Sequence, residues 1–479
     1  MTDIVLEGHF DATDRAANEF PLLPFEVPPE VARLHVRYQV SHPVSADKAG
    51  QQEGNIVDIG LFDPHGADFL AAQGFRGWSG SGRQEFTIAA NEVTPGYLPG
   101  PLYPGTWHVV LGLYQLAPEG CDYRVVVTLQ GAGCRMQEAK SKKQDAGCRK
   151  QEAESGRRWY RGDLHAHTWH SDGSAPLEEL VAAARAQGLD FIAVTEHNTV
   201  SHLPLLREQA TADLLLVPGV EITTYHGHAN VWPIDDFVEF RCWRDEQMAQ
   251  VRKMVRARGA LFSVNHPKDG GPPWEYGSLF EPDCMEVWGA PWIVSNYQSL
   301  AVWDAQLRQG QRITAVGGSD KHQGPFTGEL SWYEIGTPCT WVYADALSVE
   351  AIVAGLRAGH AFVSGGPAGP RLELMAEEAQ SGQRATMGEE LRAPAGTALR
   401  LRCHVLGGAG HVLRLVSAGE IHEAAIEGDD LTYEHQVVVN GDTYWRAEVI
   451  EPPEAPLDEE PAALMAKALS NPIYVRVTG

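Results

Sequence analysis

The sequence predicts an α/β fold: a small, irregular barrel over residues 159–367, flanked by an N-terminal and a C-terminal β-sandwich. Three observations predict it. Between 159 and about 365, short apolar runs alternate with helical patterns, which signals strands joined by helices and a parallel architecture. On either side the helical patterns give way to strand-like stretches cut by Gly/Pro turns. At 479 residues, 43% of them hydrophobic, the chain is too long for one ordinary core and rich enough to pack two or three.

Residues 1–130 read as strands. ARLHVRYQV and TWHVVLGLY alternate or mix apolar and polar residues, YRVVVTL is rich in β-branched residues, and TPGYLPGPLYPG supplies turns. Residues 131–158 break that texture. AGCRMQEAK at 132–140 returns as AGCRKQEAE at 146–154, with almost no large apolar residue, so the segment reads as a charged, duplicated linker.

In the central region PLEELVAAARAQ is a helix with Pro176 in its first turn and Gly188 as its stop. LDFIAVTEH, DLLLVPGVEIT, GALFSVNHP, CMEVWG and RITAVGGSDKH are strands, and DEQMAQVRKMVRARG, AVWDAQLRQG and SVEAIVAGLRAG the helices between them. Residues 368–479 return to strands: ALRLRCHVL, HVLRLVSAGE and HQVVV-NG-DTYWRAEV, the last with a hairpin signal at Asn440-Gly441.

Polar residues repeatedly end the apolar runs of the central region. His165 and His167, two apart in DLHAHTWHSDG, point to one side of an extended backbone, and Asp172 follows in a turn. His197 ends FIAVTEH, Glu221 ends LLLVPGVEI, His228 follows in YHGHAN, His266 ends LFSVNHP, and Asp320 and His322 end ITAVGGSDKH. The C-terminal strand ends of an α/β barrel form its mouth, so these nine donors are expected to converge there. Six imidazoles and three carboxylates without a thiolate suit manganese, iron or zinc better than calcium or magnesium. Nine donors exceed one tetrahedral ion, so two or three divalent ions are expected, with Glu221 the bridging candidate. Such a cluster suits hydrolysis by metal-activated water, phosphate esters best. Lys268 and Lys321 are candidates to meet a substrate anion; Trp169 and Trp292 read first as core packing, with a pocket wall as the alternative.

Together DLHAHTWHSDG, VTEHNT, PGVEITTYHGHAN, VNHP and GGSDKH resemble, in order, the motifs of the PHP (polymerase and histidinol phosphatase) superfamily. TWVYADALSVEAIVAGLRAGHAFVSGGPAGP and ALSNPIYVRV look like its carbaryl-hydrolase-like (CehA/McbA-type) branch. The resemblance implies a distorted (β/α)7 barrel and a metal-dependent phosphoesterase acting on a small phosphorylated molecule. It also implies the ligand sets: His165 and His167 with Glu221 and Asp320; Glu221 with His228 and His266; Asp172 with His197 and His322. Glu221, Asp320 and His322 become the candidate catalytic groups. Glu196 departs from the aspartate that many members carry beside this histidine. The carbaryl-hydrolase-like relatives act on an aryl carbamate, so carbamate, ester or amide hydrolysis is the alternative; a non-catalytic metal-binding protein is the third reading.

Composition narrows the partners. A formal charge of −25 repels polyanions, so a small-molecule substrate is expected and nucleic acid is not. No run of about 18 apolar residues suggests a membrane span. The opening MTDIVLEGHFDATD lacks a basic and an apolar region, so a cytoplasmic protein is expected. Seven scattered cysteines without a CxxC pair predict reduced thiols. A homo-oligomer remains open.

Overall fold

The structure is a computed structural model that describes residues 1–131, 157–269, 273–277, 281–322, 333–457 and 460–478. The repeat at 132–154 and most of the expected linker lie outside the described residues.

Alternation along the N-terminal strands gives two antiparallel sheets of four. One is ordered Thr2–Phe10, Cys121–Gly131, Val31–Val40, Glu85–Ala89; the other Leu22–Val27, Gly105–Gln115, Ile56–Phe62, Phe75–Gly80. In Val31–Val40 every second residue from Leu34 to Tyr38 is buried. Leu34 and Val36 of one sheet share a core with Ile59, Trp107 and Val109 of the other.

The central region is a mixed structure with few helices. Arg158–Asp163, Phe191–Val194 and Leu215–Pro218 run parallel. A second sheet is ordered Val220–Thr224, Gly227–Trp232, Leu261–Val264, Cys284–Gly289, Thr314–Gly318. Its last two pairings are parallel, but Gly227–Trp232 is antiparallel to both neighbours. The wholly parallel arrangement expected from the β/α alternation is therefore corrected. The chain turns back through Tyr225-His226 with Gly227 at φ +133°, and so short a connection can join only antiparallel strands. Isolated parallel bridges link the two sheets: Ala166↔Lys321, just beyond two strand ends, and His197↔Glu221, between a residue just past Phe191–Val194 and the start of Val220–Thr224. The expected helices occupy Leu177–Ala186, Asp245–Ala257, Asn296–Arg308 and Val349–Arg357, with a further short one at Leu203–Gln209. Gly188, at φ +66°, ends the first, and the Ser348 side chain caps the helix at Val349.

The boundary expected at 367/368 is crossed by a continuous sheet. Ala361–Ser364 pairs with Ala466–Ser470, which pairs with Thr443–Ile450 and through it with Val412–Val416 and Ile421–Ala425. One core runs from Leu177 and Ile192 to Leu413 and Val475. Buried Asn471 locks the seam: its side chain bonds the Ala315 N–H (2.7 Å) and the carbonyls of Ala315 (3.0 Å) and Ala361 (2.9 Å). The hairpin expected at Asn440-Gly441 is not formed. Asp430–Val438 pairs with Ala398–Leu406 in a separate four-stranded sheet. Thr443–Ile450 is already bonded to Val412–Val416, Ala466–Ser470 and Ile473–Thr478, which leaves its predecessor no edge. Among the described residues, no helix is long and apolar enough to cross a membrane, and Cys121, Cys242, Cys284, Cys339 and Cys403 are buried free thiols.

Candidate metal centre

Buried Asp163, at the end of the strand Arg158–Asp163, sets the local geometry. Its carboxylate accepts from the N–H groups of His165 (3.0 Å), Ser319 (3.0 Å) and Gly336 (2.7 Å), so the ends of two sequence-distant strands are held together. Asp320 N–H then donates to the His165 carbonyl (2.8 Å) and His167 N–H to the Lys321 carbonyl (3.0 Å). With Ala166 opposite Lys321, pleating sends the flanking residues His165, His167, Asp320 and His322 to the opposite side. Gly318 permits the approach: a Cβ there would stand 2.4 Å from that of His165. The His197↔Glu221 bridge does the same at the next strands. Asp320 (φ +52°) and His266 (φ +29°) hold left-handed backbone, which costs non-glycine residues of order 1–3 kcal/mol and clusters at functional sites.

The nine donors form one linked cluster, in which Glu221 meets five of the six imidazoles. Its Oε2 lies 3.3 Å from His165 Nε2, 3.5 Å from His167 Nε2 and 2.8 Å from His197 Nδ1. Its Oε1 lies 3.2 Å from His228 Nδ1 and 3.4 Å from His266 Nε2 and accepts from Asn265 Nδ2 (2.8 Å). Asp320 Oδ1 sits 3.3 Å from His165 Nε2 and 3.2 Å from His167 Nε2. Asp172 Oδ1 is 3.3 Å from the Nε2 atoms of both His197 and His322. The His167 ring stacks between those of His197 and His322, at 4.2 and 4.1 Å.

This donor set fits metal ions. Bonds of about 2.0–2.2 Å place neighbouring ligands around one ion about 3.0–3.5 Å apart, the range found here. His165 Nε2, His167 Nε2, Glu221 Oε2 and Asp320 Oδ1 are buried without a hydrogen-bond partner, a costly arrangement that a bound cation would relieve. Three groupings have donor atoms close enough to share an ion: His167, Asp172, His197 and His322; His165, Glu221 and His266; His165, His167 and Asp320. His165 replaces His228 beside Glu221 and His266, and His167 joins the Asp172 group, relative to the sets implied by resemblance.

The charges are strongly coupled. Burial opposes ionisation of Glu221, but the rings of His165, His197 and His228 outweigh it and hold its carboxyl well below the usual range. Asp320 is depressed likewise by His165 and His322 against its burial. Burial, reinforced by His322 and His197, pushes His167 down to about 3 and keeps it neutral, as a ligand must be.

The two lysines differ. Lys268 Nζ bonds the Gly289 carbonyl and Asn296 Oδ1, both at 2.7 Å, and burial, partly offset by Glu286 and Asp320, lowers it to about 8. Lys321 Nζ is held by the Tyr333 carbonyl (2.6 Å) and lies 3.6 Å from Glu334. Trp169 is 43% exposed, whereas Trp292 is buried and donates to the Leu464 carbonyl. His170, His202 and His226 stay outside the cluster, against Ser201, the Gly219 carbonyl, and Glu19 with Glu275.

Several supporting groups were not anticipated. Glu286 Oε2 lies 2.6 Å from His165 Nδ1, the ring nitrogen turned away from Glu221 and Asp320, and Thr223 Oγ1 is bonded to His197 Nδ1, which also faces Glu221. Buried Glu196 accepts from Thr168 and Ser171 and so shapes the turn before Asp172. A carboxylate inside the apolar run CMEVWG was the one available signal for Glu286.

Residues 163–256 match the PHP domain family. The chain is also similar to the 5'-3' exoribonuclease Rnm of Salmonella typhimurium, 34% identical over 119 residues (24% of this chain, 40% of that one). The same enzyme of Escherichia coli is 40% identical over 65 residues, 13% of this chain and 22% of that one. The match thus spans less than half the length of either relative. Among solved structures, a two-domain protein from Bacteroides vulgatus containing a predicted PHP-like metal-dependent phosphoesterase covers 62% of this chain and 91% of its own, at 19% identity and a TM-score of 0.37.

Proposed function

We propose that the chain is a metal-dependent phosphoesterase of the carbaryl-hydrolase-like PHP branch, with a distorted (β/α)7 barrel and two or three manganese, iron or zinc ions. The observation that carries this reading is the cluster of six imidazoles and three carboxylates, five of the imidazoles lying against Glu221, with buried donor atoms left without other partners. The two bridges that link the central sheets support the barrel. When bound, such ions lower the pKa of water and neutralise charge developing on phosphoryl oxygens.

The chain's own groups do the rest. Glu221 and Asp320 supply the buried negative charge that retains cations, and His322, beside Asp172, closes the more open side. Lys268 spends two of its three N–H groups on Gly289 and Asn296, which leaves one for a substrate oxygen. Lys321 would serve a substrate only by leaving Tyr333.

A phosphodiester at an RNA 5' end is a second substrate reading, favoured by the likeness to the exoribonucleases and opposed by the charge of −25. The alternative of carbamate or ester hydrolysis needs the same ions and a different pocket wall. Turnover of aryl phosphates, short oligoribonucleotides and aryl carbamates by manganese-loaded protein tests all three. We expect aryl phosphates to be cleaved fastest; cleavage confined to carbamates would overturn the phosphoesterase reading.

A further inference from the structure

Two loops and one strand of the N-terminal region touch three of the segments that carry the donors. Between His167 and Asp172, the Arg83 guanidinium donates to the carbonyls of Trp169 (2.6 Å) and Ser171 (3.2 Å). After His197, Thr199 Oγ1 donates to the Gly96 carbonyl (2.7 Å), and Gly96 N–H donates to Ser201 Oγ (3.1 Å), itself 2.8 Å from His170 Nδ1. Between Glu221 and His228, the Tyr225 hydroxyl donates to Asp58 Oδ2 (2.8 Å). The contact is close: at Gly96, φ +97°, a Cβ would stand 2.9 Å from the His170 carbonyl oxygen.

Asp172 is the donor that needs such help. Its side chain is 52% exposed, whereas those of His165, His167 and Glu221 are fully enclosed. The Ser171 carbonyl belongs to the peptide unit that leads into Asp172, and Arg83 holds it together with the Trp169 carbonyl two residues earlier. A planar guanidinium reaches two separated carbonyls from two nitrogens in a fixed fork, whereas an ammonium must donate from a single nitrogen.

We propose that Arg83 is a positioning residue for the ion expected at Asp172, His197 and His322. By fixing the Trp169 and Ser171 carbonyls it sets the reach of Asp172, so a turn of the N-terminal region, between Phe75–Gly80 and Glu85–Ala89, completes a metal position that the central region builds only in part. The inference rests on the multinuclear metal reading. The enclosed donors around Glu221 and Asp320 make no contact with Arg83, so its loss acts on one position and spares the rest.

The test uses the full chain and manganese alone as probe, with equilibrium dialysis, elemental analysis and thermal melting in parallel. Arg83→Ala should weaken the weakest-bound ion by about 10–100-fold and leave the tighter binding at its parental value. Arg83→Lys should give a smaller loss at the same position. Arg33→Ala, which removes a surface arginine paired with Glu92, should match the parent. Asp172→Ala should lose the same ion, and adding Arg83→Ala to it should cost nothing more. Parental affinity for every ion in Arg83→Ala, loss of all ions together, or additive losses in the double variant would overturn the proposal. If Arg83→Ala fails to fold, Arg83→Lys decides: parental affinity at every position overturns it. A parent that binds at most one ion would refute the metal reading itself, a result separable from the others.

Discussion

Buried His165 turns its two ring nitrogens to different carboxylates: Nδ1 lies 2.6 Å from Glu286, and Nε2 lies 3.3 Å from both Glu221 and Asp320. With an ion bound, the first contact would set the tautomer, Nδ1 donating to Glu286 and Nε2 left to face the ion. Glu286→Ala should therefore lower metal affinity by about 10–100-fold without touching substrate. Metal titration and circular dichroism check this: weakened binding in a folded variant is expected, and parental affinity would deny the positioning role.

Glu221 presents one oxygen to three imidazoles and the other to two imidazoles and Asn265. Glu221→Ala should abolish tight binding of every ion it touches. His170→Ala removes only the buried contact with Ser201, so it should retain metal and lose about 1–2 kcal/mol of stability. Equal metal loss in both variants would mean that the donor set is misassigned.

Most of the nine donors were legible because they end or closely follow an apolar run, and HxH and SDKH have the two-residue spacing of a strand. Their supporting shell was not. Glu286 and Asp163 sit inside or at the edge of strand sequences, where an acid gives no period or turn signal until its partner strand is known. Gly227–Trp232 was hidden for a related reason: GHANVW is short and mixes Gly, His and Asn with its apolar residues, so no strand pattern marks it, and its antiparallel pairing depends on the turn at Tyr225-His226. The continuity of the C-terminal strands with the central sheet rests on register between segments about a hundred residues apart, such as Phe362↔Ser470, which no local pattern encodes.

Asn471 makes three buried hydrogen bonds to two central strand ends. Asn471→Ala removes all three side-chain bonds, leaving the Ala361 carbonyl the backbone N–H of residue 471 (3.3 Å), and should destabilise the chain by about 2–4 kcal/mol. Because the sheet is continuous, the central and C-terminal regions should melt in one transition. A separate early transition for the C-terminal strands in calorimetry would contradict the shared core.

Asp58, which accepts from Tyr225, is raised to about 6, chiefly by burial, against 3.8 when unfolded. A raised carboxyl favours the protonated folded state, so its contribution is present below pH 4 and declines as pH rises to about 6. Asp58→Asn keeps an acceptor for Tyr225 and removes that decline. The stability of the variant relative to the parent should thus grow between pH 4 and 6, by about 2 kcal/mol, and stay level above. Urea unfolding across this range checks it; a constant difference would show that Asp58 titrates normally.

Metal stoichiometry tests the central claim most directly. Protein stripped with a chelator, dialysed against manganese and freed of unbound ion should carry two or three ions per chain by elemental analysis. Asp320→Asn, folded by circular dichroism, should carry fewer. A parent chain that retains at most one ion after full replenishment would contradict a multinuclear site built on Glu221.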